Sequence, residues 1–472
     1  MTEKPHEECG LFGIYDPDRQ GVVDETYLAL YALQHRGQES AGIAVNDDGV
    51  ISFHKDVGLV PEVFAENTLK ELGDGTIAVG HVRYAPGNKQ ERASAQPLVM
   101  RYVKGTIAIG HNGAISNFTE IRRELEKGGA IFQTNCDAEL IAYVIARERL
   151  KQGSIERSVQ AMMDQVKGAY SLVLMSPKKL IGARDPHGFR PLSIGKRGNS
   201  YMLSSETCAF DSLGAEFVRD VKPGEVVVID QDGLHSYTEK CQDKTSFCIF
   251  EYVYFARPDS TVEGVSVHLA RQRAGMALAK EHPVEADLVC GVPDSGLDAA
   301  LGYSLESGIP YGIALIKNKY IGRTFIQDTQ KKRERAVRIK LNALSAAVSG
   351  KRIVLIDDSI VRGTTCAHIV QMLGEAGAKE VHMRISSPPF LHPCYFGTDI
   401  DSRDKLIACR MSLDEVCKTI GADSLGYLSI EGIHGIAKEA NIHFCDACFT
   451  GKYPIEVPEE KPIDKFSQKI KK

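Results

Sequence analysis

The run Ile353-Val354-Leu355-Ile356-Asp357-Asp358-Ser359-Ile360-Val361-Arg362-Gly363-Thr364-Thr365 restricts the fold more than any other stretch of this 472-residue chain. Four consecutive apolar residues describe a strand buried on both faces, as in a parallel sheet covered by helices. Two adjacent carboxylates end the strand. A Gly/Thr loop follows, and an apolar-periodic helix is predicted from about Ala367 to Ala376. Open α/β folds bind ligands at the carboxyl ends of their strands. A Gly/Thr loop opening a helix offers N–H and hydroxyl donors to a phosphate there. The acidic pair can accept hydrogen bonds from vicinal hydroxyls or help hold a divalent metal. A ligand with both a phosphate and a diol is a sugar phosphate. A lone Asp-Asp would merit the blander reading of a strand ending in a polar turn; here every part suits one ligand.

Length suggests two or three domains. The formal net charge of −5 argues against a scaffold that works by neutralising nucleic-acid phosphates. No apolar run approaches the ~20 residues of a membrane span, and the acidic start, Met1 to Glu8, lacks a signal-peptide core. A cytoplasmic location is expected, where thiols stay reduced. The twelve cysteines are then candidates for core, nucleophile or metal ligand. Strand-like runs fill the first half: Leu11–Tyr15, Gly42–Val45, Ile77–Val82, Ile107–Ile109, Ser171–Met175, Tyr201–Ser204 and Glu225–Ile229. Helical patterns appear near Thr26–Gln34 and Asp137–Lys151. From Asp287 strands alternate with helices: Leu288–Gly291, Ala299–Leu305, Tyr311–Ile316, Ile353–Ile356, Ala367–Ala376, Glu380–Ile385. That order implies βαβ units. A polar stretch near Gln231–Ser246 marks the boundary, and the segment after Lys452 reads as a loose or helical tail.

The acidic-pair segment resembles the phosphoribosyl pyrophosphate loop of type I phosphoribosyltransferases. The resemblance implies that Asp357 and Asp358 contact the ribose hydroxyls while Ser359, Arg362, Gly363, Thr364 and Thr365 surround the 5′-phosphate. Gly291-Val292-Pro293-Asp294-Ser295-Gly296, between a strand and a helix, is suited to pyrophosphate. By resemblance Ser295, with Asp357 and Asp358, lies beside Mg²⁺. A third block runs from Lys317 through Tyr320 and Arg323 to Lys340, with six basic residues against Glu334 after Gln330. Taken alone it reads as a solvated helix face. The sharper reading is a lid that closes on pyrophosphate and excludes water, as in glutamine-dependent phosphoribosylpyrophosphate amidotransferases.

Cys9, in Glu8-Cys9-Gly10-Leu11-Phe12-Gly13, precedes an ordered set of polar clusters: Gln34-His35-Arg36-Gly37, Gly80-His81-Val82-Arg83-Tyr84, His111-Asn112-Gly113 and Asn135-Cys136-Asp137. Each is weak alone. Together, over Cys9–Ile229, they resemble the glutaminase domain of N-terminal-nucleophile amidotransferases. Glutamine hydrolysis needs a nucleophile, a base and an oxyanion hole. A cysteine at a mature N-terminus supplies its thiol and an α-amine, with a reference pKa of about 7.7–8.0, as base. Asn112 and Gly113 would hold the oxyanion. The resemblance assigns Arg83 to the glutamine carboxylate and Asp137 to its α-ammonium; Arg36 joins them in the pocket or orders it. Residues 1–8 would be a propeptide removed to free Cys9.

Both halves in this order resemble the amidophosphoribosyltransferase family, from about Glu7 to Pro454. The fold expected is α/β and α+β. An N-terminal-nucleophile αββα glutaminase sandwich over 9–240 precedes a type I phosphoribosyltransferase parallel-sheet domain over 250–450, with a tail over 451–472. The family's reaction makes 5-phosphoribosylamine, pyrophosphate and glutamate from phosphoribosyl pyrophosphate, glutamine and water, with Mg²⁺ neutralising the leaving group. Purine nucleotides as feedback inhibitors and a homotetramer are implied by resemblance. Nucleic-acid and membrane partners are not expected.

The Cys445-Asp446-Ala447-Cys448 motif, with Cys394 and Cys248, makes a candidate fourfold set. Spacing alone leaves zinc, an iron–sulfur cluster and buried free thiols open. The flanking sequences resemble the family branch with a propeptide and a [4Fe–4S] cluster. Two departures touch the glutamine pocket. Pro86 stands where the family usually has a hydroxyl residue, and Ala114 replaces an asparagine. Losing one hydrogen bond to a charged group costs roughly 1.5–3 kcal/mol, enough to raise the glutamine requirement about tenfold. Three rivals remain: another glutamine-dependent transferase, a non-catalytic phosphoribosyl-binding regulator, and a paralogue with an impaired glutaminase that uses free ammonia.

Overall fold

The computed structural model of the chain describes residues 9–19, 21–84, 92–320, 341–400 and 402–458. Two antiparallel sheets fill the first half. One runs in the order Glu216–Asp220, Ser193–Arg197, Ser200–Ser204, Gly10–Tyr15, Ile77–Arg83, Ser40–Asp47, Val50–Val57. The other runs Gly233–Tyr237, Val226–Asp230, Leu180–Arg184, Gly168–Met175, Gly105–Ile115, Leu98–Tyr102. Side-chain alternation along Gly10–Tyr15 explains the layering. Leu11 faces the opposite sheet, among Val79, Ala108, Val173 and Leu203. Phe12 and Ile14 face the helices Val22–Ala32 and Cys208–Leu213. A Cβ on Gly13 would sit 2.6 Å from Val173 Cγ1, so glycine there permits the sheets to close. Helices Phe118–Lys127, Asp137–Arg149 and Ile155–Met163 cover the outer face of the second sheet. The result is a four-layer αββα sandwich.

The sequence pattern reveals only two of these helices. Phe118–Lys127 escapes because just Ile121 and Leu125, one turn apart, are buried. Strand Val50–Val57 escapes because it is an edge strand with no fully buried residue.

The second half is built on a parallel sheet in the order Leu288–Gly291, Arg352–Asp357, Glu380–Ile385, Ser424–Tyr427. Helices Val267–Glu281 and Gly296–Ser307 pack on one face with Val354 and Ile356. Helices Thr364–Glu375 and Leu413–Ile420 contribute to the core around Ile353 and Leu355. The strand expected over Tyr311–Ile316 is corrected. Tyr311 makes only an isolated bridge to Val289, and the true strand, Leu315–Lys317, pairs antiparallel with Leu341–Ala343. Gly312 lies between them, where a Cβ would meet Leu288 Cδ1 at 2.7 Å.

A buried ionic network joins the halves. Arg36 donates to Glu206 at 2.6 Å and to both carboxylate oxygens of Glu251 at 3.0 Å. Arg190 donates to Glu251, to Phe396 O and to Thr398. Such side chains stay charged inside a protein only when paired and hydrogen-bonded.

Candidate active sites

Strand Gly10–Tyr15 pairs with Ile77–Arg83, which brings Cys9 to the end of the sheet beside Arg83 and Tyr84. The Cys9 thiol points at Tyr84 O, 3.9 Å away, and its carbonyl accepts from Arg36 Nε at 3.2 Å. Strand Gly105–Ile115, in the facing sheet, carries Asn112 and Gly113. Asn112 is 1% exposed, yet neither its side-chain oxygen nor its nitrogen has a hydrogen-bond partner among the described residues. A buried amide left unsatisfied is costly and points to a ligand-dependent role. Gly113 has φ +132°, and a Cβ would lie 2.2 Å from Ala169 O, so only glycine fits.

Asp137 begins the helix Asp137–Arg149 and accepts the Ile115 N–H at 2.9 Å. Burial pushes its carboxyl up to about 6, against that hydrogen bond and the nearby charge of Arg83. Burial also depresses Lys55 to about 8, and Cys136 and Arg83 perturb it in opposite directions. Arg83, Asp137, Cys136 and Lys55 therefore share one electrostatic environment at the mouth of the sandwich. Pro86 falls outside the described residues.

The phosphoribosyl half places its two loops at one level, because Gly291 is the register partner of Ile356. Val292 N–H donates to Ile356 O, knitting the strand ends together. Asp357 and Asp358 are fully buried. The Ser295 and Ser359 hydroxyls donate to opposite oxygens of Asp358, and Ser387 donates to its carbonyl. Gly363, at φ +88°, opens the helix Thr364–Glu375 in a left-handed conformation. A Cβ there would meet Ile407 Cδ1 at 2.8 Å. The N–H groups of that first helical turn are a ready anion site, with Thr364 and Thr365 beside them and Arg362 half-buried. Lys317 pairs with Asp294 across the other loop at 2.5 Å, and Tyr320 is fully exposed. Arg323 and Lys340 fall outside the described residues.

Comparison with known proteins settles the family. Residues 81–212 match the model of a glutamine amidotransferase domain. The chain is 51% identical over 462 residues to an amidophosphoribosyltransferase of Synechocystis sp., covering 97% of this chain and 93% of the relative. It is 46% identical over 470 residues to the Bacillus subtilis amidophosphoribosyltransferase, covering 98% of each. A solved structure of the glutamine phosphoribosylpyrophosphate amidotransferase from B. subtilis, complexed with ADP and GMP, matches with a TM-score of 0.89 at 46% identity, covering 96% of this chain and 99% of that one. Another, described as the allosteric regulatory enzyme of purine biosynthesis, matches with a TM-score of 0.91 at 45% identity, covering 98% and 99%.

The chain belongs to the amidophosphoribosyltransferase family. It is a glutamine-dependent transferase acting on phosphoribosyl pyrophosphate in the first step of purine biosynthesis. The Arg36 guanidinium is fully buried, with its bonds directed at Glu206, Glu251 and the Cys9 carbonyl.

The four cysteines of the candidate set lie on linked elements. Phe247–Cys248 pairs in parallel with Phe444–Cys445, with Cys248 opposite Cys445. Cys448 lies on the turn of helix Ala447–Thr450, and its carbonyl accepts from Leu391 and His392, just before Cys394. Burial drives the Cys445 and Cys448 thiols well above their ordinary range, and the other cysteines of the set add to the shift. Among the described residues, no group of three or more His, Cys, Asp or Glu is arranged to hold a single metal ion. An all-cysteine donor set suits zinc or an iron–sulfur cluster. Among the described residues, no helix is long and apolar enough to cross a membrane.

Several residues in the pocket are not legible as functional from sequence. Lys55 and Glu206 belong to no recognised motif, and Glu251 sits in an aromatic run. Gln96 precedes a proline, and His81 sits inside a recognised cluster, but neither signal states a role.

Proposed function

We propose that glutamine is hydrolysed at Cys9 after residues 1–8 are removed. The thiol attacks the carboxamide carbon. Its proton passes through the α-amine to the departing nitrogen, which leaves as ammonia. Water then cleaves the thioester to glutamate. The Asn112 side-chain amide and the Gly113 N–H hold the tetrahedral oxyanion, Arg83 takes the glutamine carboxylate and Asp137 its ammonium. The observation that carries this reading is the buried Asn112 amide, which has no hydrogen-bond partner among the described residues.

In the second half, Asp357 and Asp358 bind the ribose hydroxyls, and Ser359, Arg362, Gly363, Thr364 and Thr365 hold the 5′-phosphate. The Gly291–Gly296 turn faces pyrophosphate, and the Lys317–Lys340 block, with Tyr320 and Arg323, is the lid. Ser295, Asp357 and Asp358 offer only oxygen donors, the hard set that Mg²⁺ prefers. Bound there, Mg²⁺ would neutralise charge on the departing pyrophosphate. Ammonia attacks C1 of the sugar and pyrophosphate leaves.

Cys248, Cys394, Cys445 and Cys448 are the ligands of a [4Fe–4S] cluster with a structural or oxygen-sensing role. Burial holds the Cys445 and Cys448 thiols well above their ordinary range, and such thiols become stable thiolates only with a cationic partner. Purine nucleotides act as feedback inhibitors, a role supported by the ADP and GMP of the B. subtilis complex. The protein works in the cytoplasm as a homotetramer.

Purified protein, kept anaerobic, tests these assignments. Intact mass should show a chain beginning at Cys9; one still beginning at Met1 or Thr2 removes the α-amine base. Pyrophosphate release from phosphoribosyl pyrophosphate and Mg²⁺ should proceed with glutamine or ammonium. Release with ammonium alone would keep the transferase and condemn the glutamine pocket or its maturation.

A further inference from the structure

The strand bearing the oxyanion donors outruns its neighbour. Pairing between Gly105–Ile115 and Leu98–Tyr102 ends at Ile109 opposite Leu98. Beyond that point side chains replace the missing strand. The His111 N–H donates to Gln96 Oε1 at 2.7 Å, and the Ile115 N–H to Asp137 Oδ2 at 2.9 Å. Strand alternation sends the Gly113 N–H to the same edge, between those two caps. The His111 carbonyl is held as well, accepting from His81 Nε2 at 3.0 Å.

We infer that Gln96 and His81 are positioning residues for glutamine hydrolysis: they clamp both ends of the His111 backbone and so aim Asn112 and Gly113 at the oxyanion. This inference rests on the oxyanion assignment made above.

The clamp is built into the sandwich. His81 is the register partner of Leu11, two residues after the nucleophile. Its ring is fully buried, and its Nδ1 has no partner among the described residues. Burial lowers it to about 3, opposed by the bond to His111 and aided by Arg83, His111 and Lys55. The ring is therefore neutral, and its carbonyl partner places the proton on Nε2. Gln96 is also buried. Its Nε2 faces Cys136 Sγ at 3.6 Å, which directs Oε1 toward His111. Its backbone is fixed twice. Lys55 Nζ holds the Ala95 carbonyl at 2.5 Å, and Gly42 leaves room that a Cβ would close, 2.2 Å from Gln96 O. Two buried polar side chains on opposite ends of one residue's backbone define its position more tightly than a strand edge alone.

The test uses full-length Gln96→Leu, His81→Leu, His81→Gln and Asn112→Ala chains. Three readouts are taken: steady-state glutaminase kinetics, ammonia-dependent pyrophosphate release, and inhibition by glutamate γ-semialdehyde. That aldehyde adds the thiol to form a tetrahedral hemithioacetal, so its affinity reports the oxyanion hole. Gln96→Leu and His81→Leu should lower kcat about ten- to hundredfold and weaken the aldehyde by the same factor. KM should stay within about twofold, with the ammonia reaction unchanged. His81→Gln, which returns a donor near Nε2, should recover most of the loss. A rise in KM at constant kcat, a fall in kcat without weaker aldehyde binding, or a parallel loss of the ammonia reaction would each overturn the inference. Unchanged aldehyde affinity in Asn112→Ala would overturn the oxyanion assignment itself.

Discussion

Replacing Arg36 by methionine removes the central cation of the junction between the halves, and the structure sets the size of the effect. Arg36 is fully buried against Glu206 and Glu251. Burial alone would push Glu206 up, but His35 and Arg36 outweigh it and hold the carboxylate well below its ordinary range. Removing one partner of a buried ion pair typically costs about 3–5 kcal/mol, because the other charge is left uncompensated. Here each carboxylate keeps other partners. Glu206 retains His35 at 2.8 Å, the Arg257 N–H at 2.9 Å and Ser260 at 2.7 Å. Glu251 retains Arg190 at 3.3 Å. The expected loss is therefore at the lower end, about 3 kcal/mol. Urea unfolding gives it as the midpoint shift at unchanged slope, at neutral pH. The sign of the pH dependence follows from Glu206. Its folded value lies below its unfolded one, so the stabilisation is present above pH about 4.5 and is lost as pH falls further. A loss under about 1 kcal/mol in Arg36→Met, the scale of an exposed pair, would refute the reasoning.

Asp358→Asn removes a charged acceptor shared by Ser295 and Ser359; kcat/KM for phosphoribosyl pyrophosphate should fall about ten- to hundredfold, the worth of one charged hydrogen bond, equally with glutamine and with ammonium. Asp137 titrates at about 6 in the folded chain, above its ordinary 3.8, so its proton is held preferentially by the free folded protein. The KM for glutamine should rise as pH falls below about 6, and Asp137→Asn should abolish that dependence in an initial-rate pH series. Cys448→Ser should abolish bound iron and acid-labile sulfide and lower the melting temperature, whereas retention of a full complement of both would exclude it as a ligand.

The acidic-pair loop was readable because one buried strand, two carboxylates and a Gly/Thr turn are consecutive in sequence and chemically specific. Cys9, Asn112 and Gly113 required the ordered set of clusters, since their meeting depends on two sheets facing each other. What sequence hides is the support. Arg36 stands in a recognisable polar cluster, but its ionic partners Glu206 and Glu251 lie 170 and 215 residues away. Gln96 acts only because a neighbouring strand stops short, and strand ends are set by packing rather than by local composition. The strand lies at Leu315–Lys317 rather than over Tyr311–Ile316 because its ladder is made with Leu341–Ala343, further along the chain and invisible to local pattern.

Cys9→Ala tests the central claim, that one chain makes ammonia at Cys9 and uses it at the acidic-pair loop. The variant and the native chain would be assayed side by side for pyrophosphate release with glutamine and with ammonium. The variant should lose the glutamine-dependent reaction and keep the ammonium-dependent rate. Glutamine-dependent release that survives in Cys9→Ala would contradict that claim.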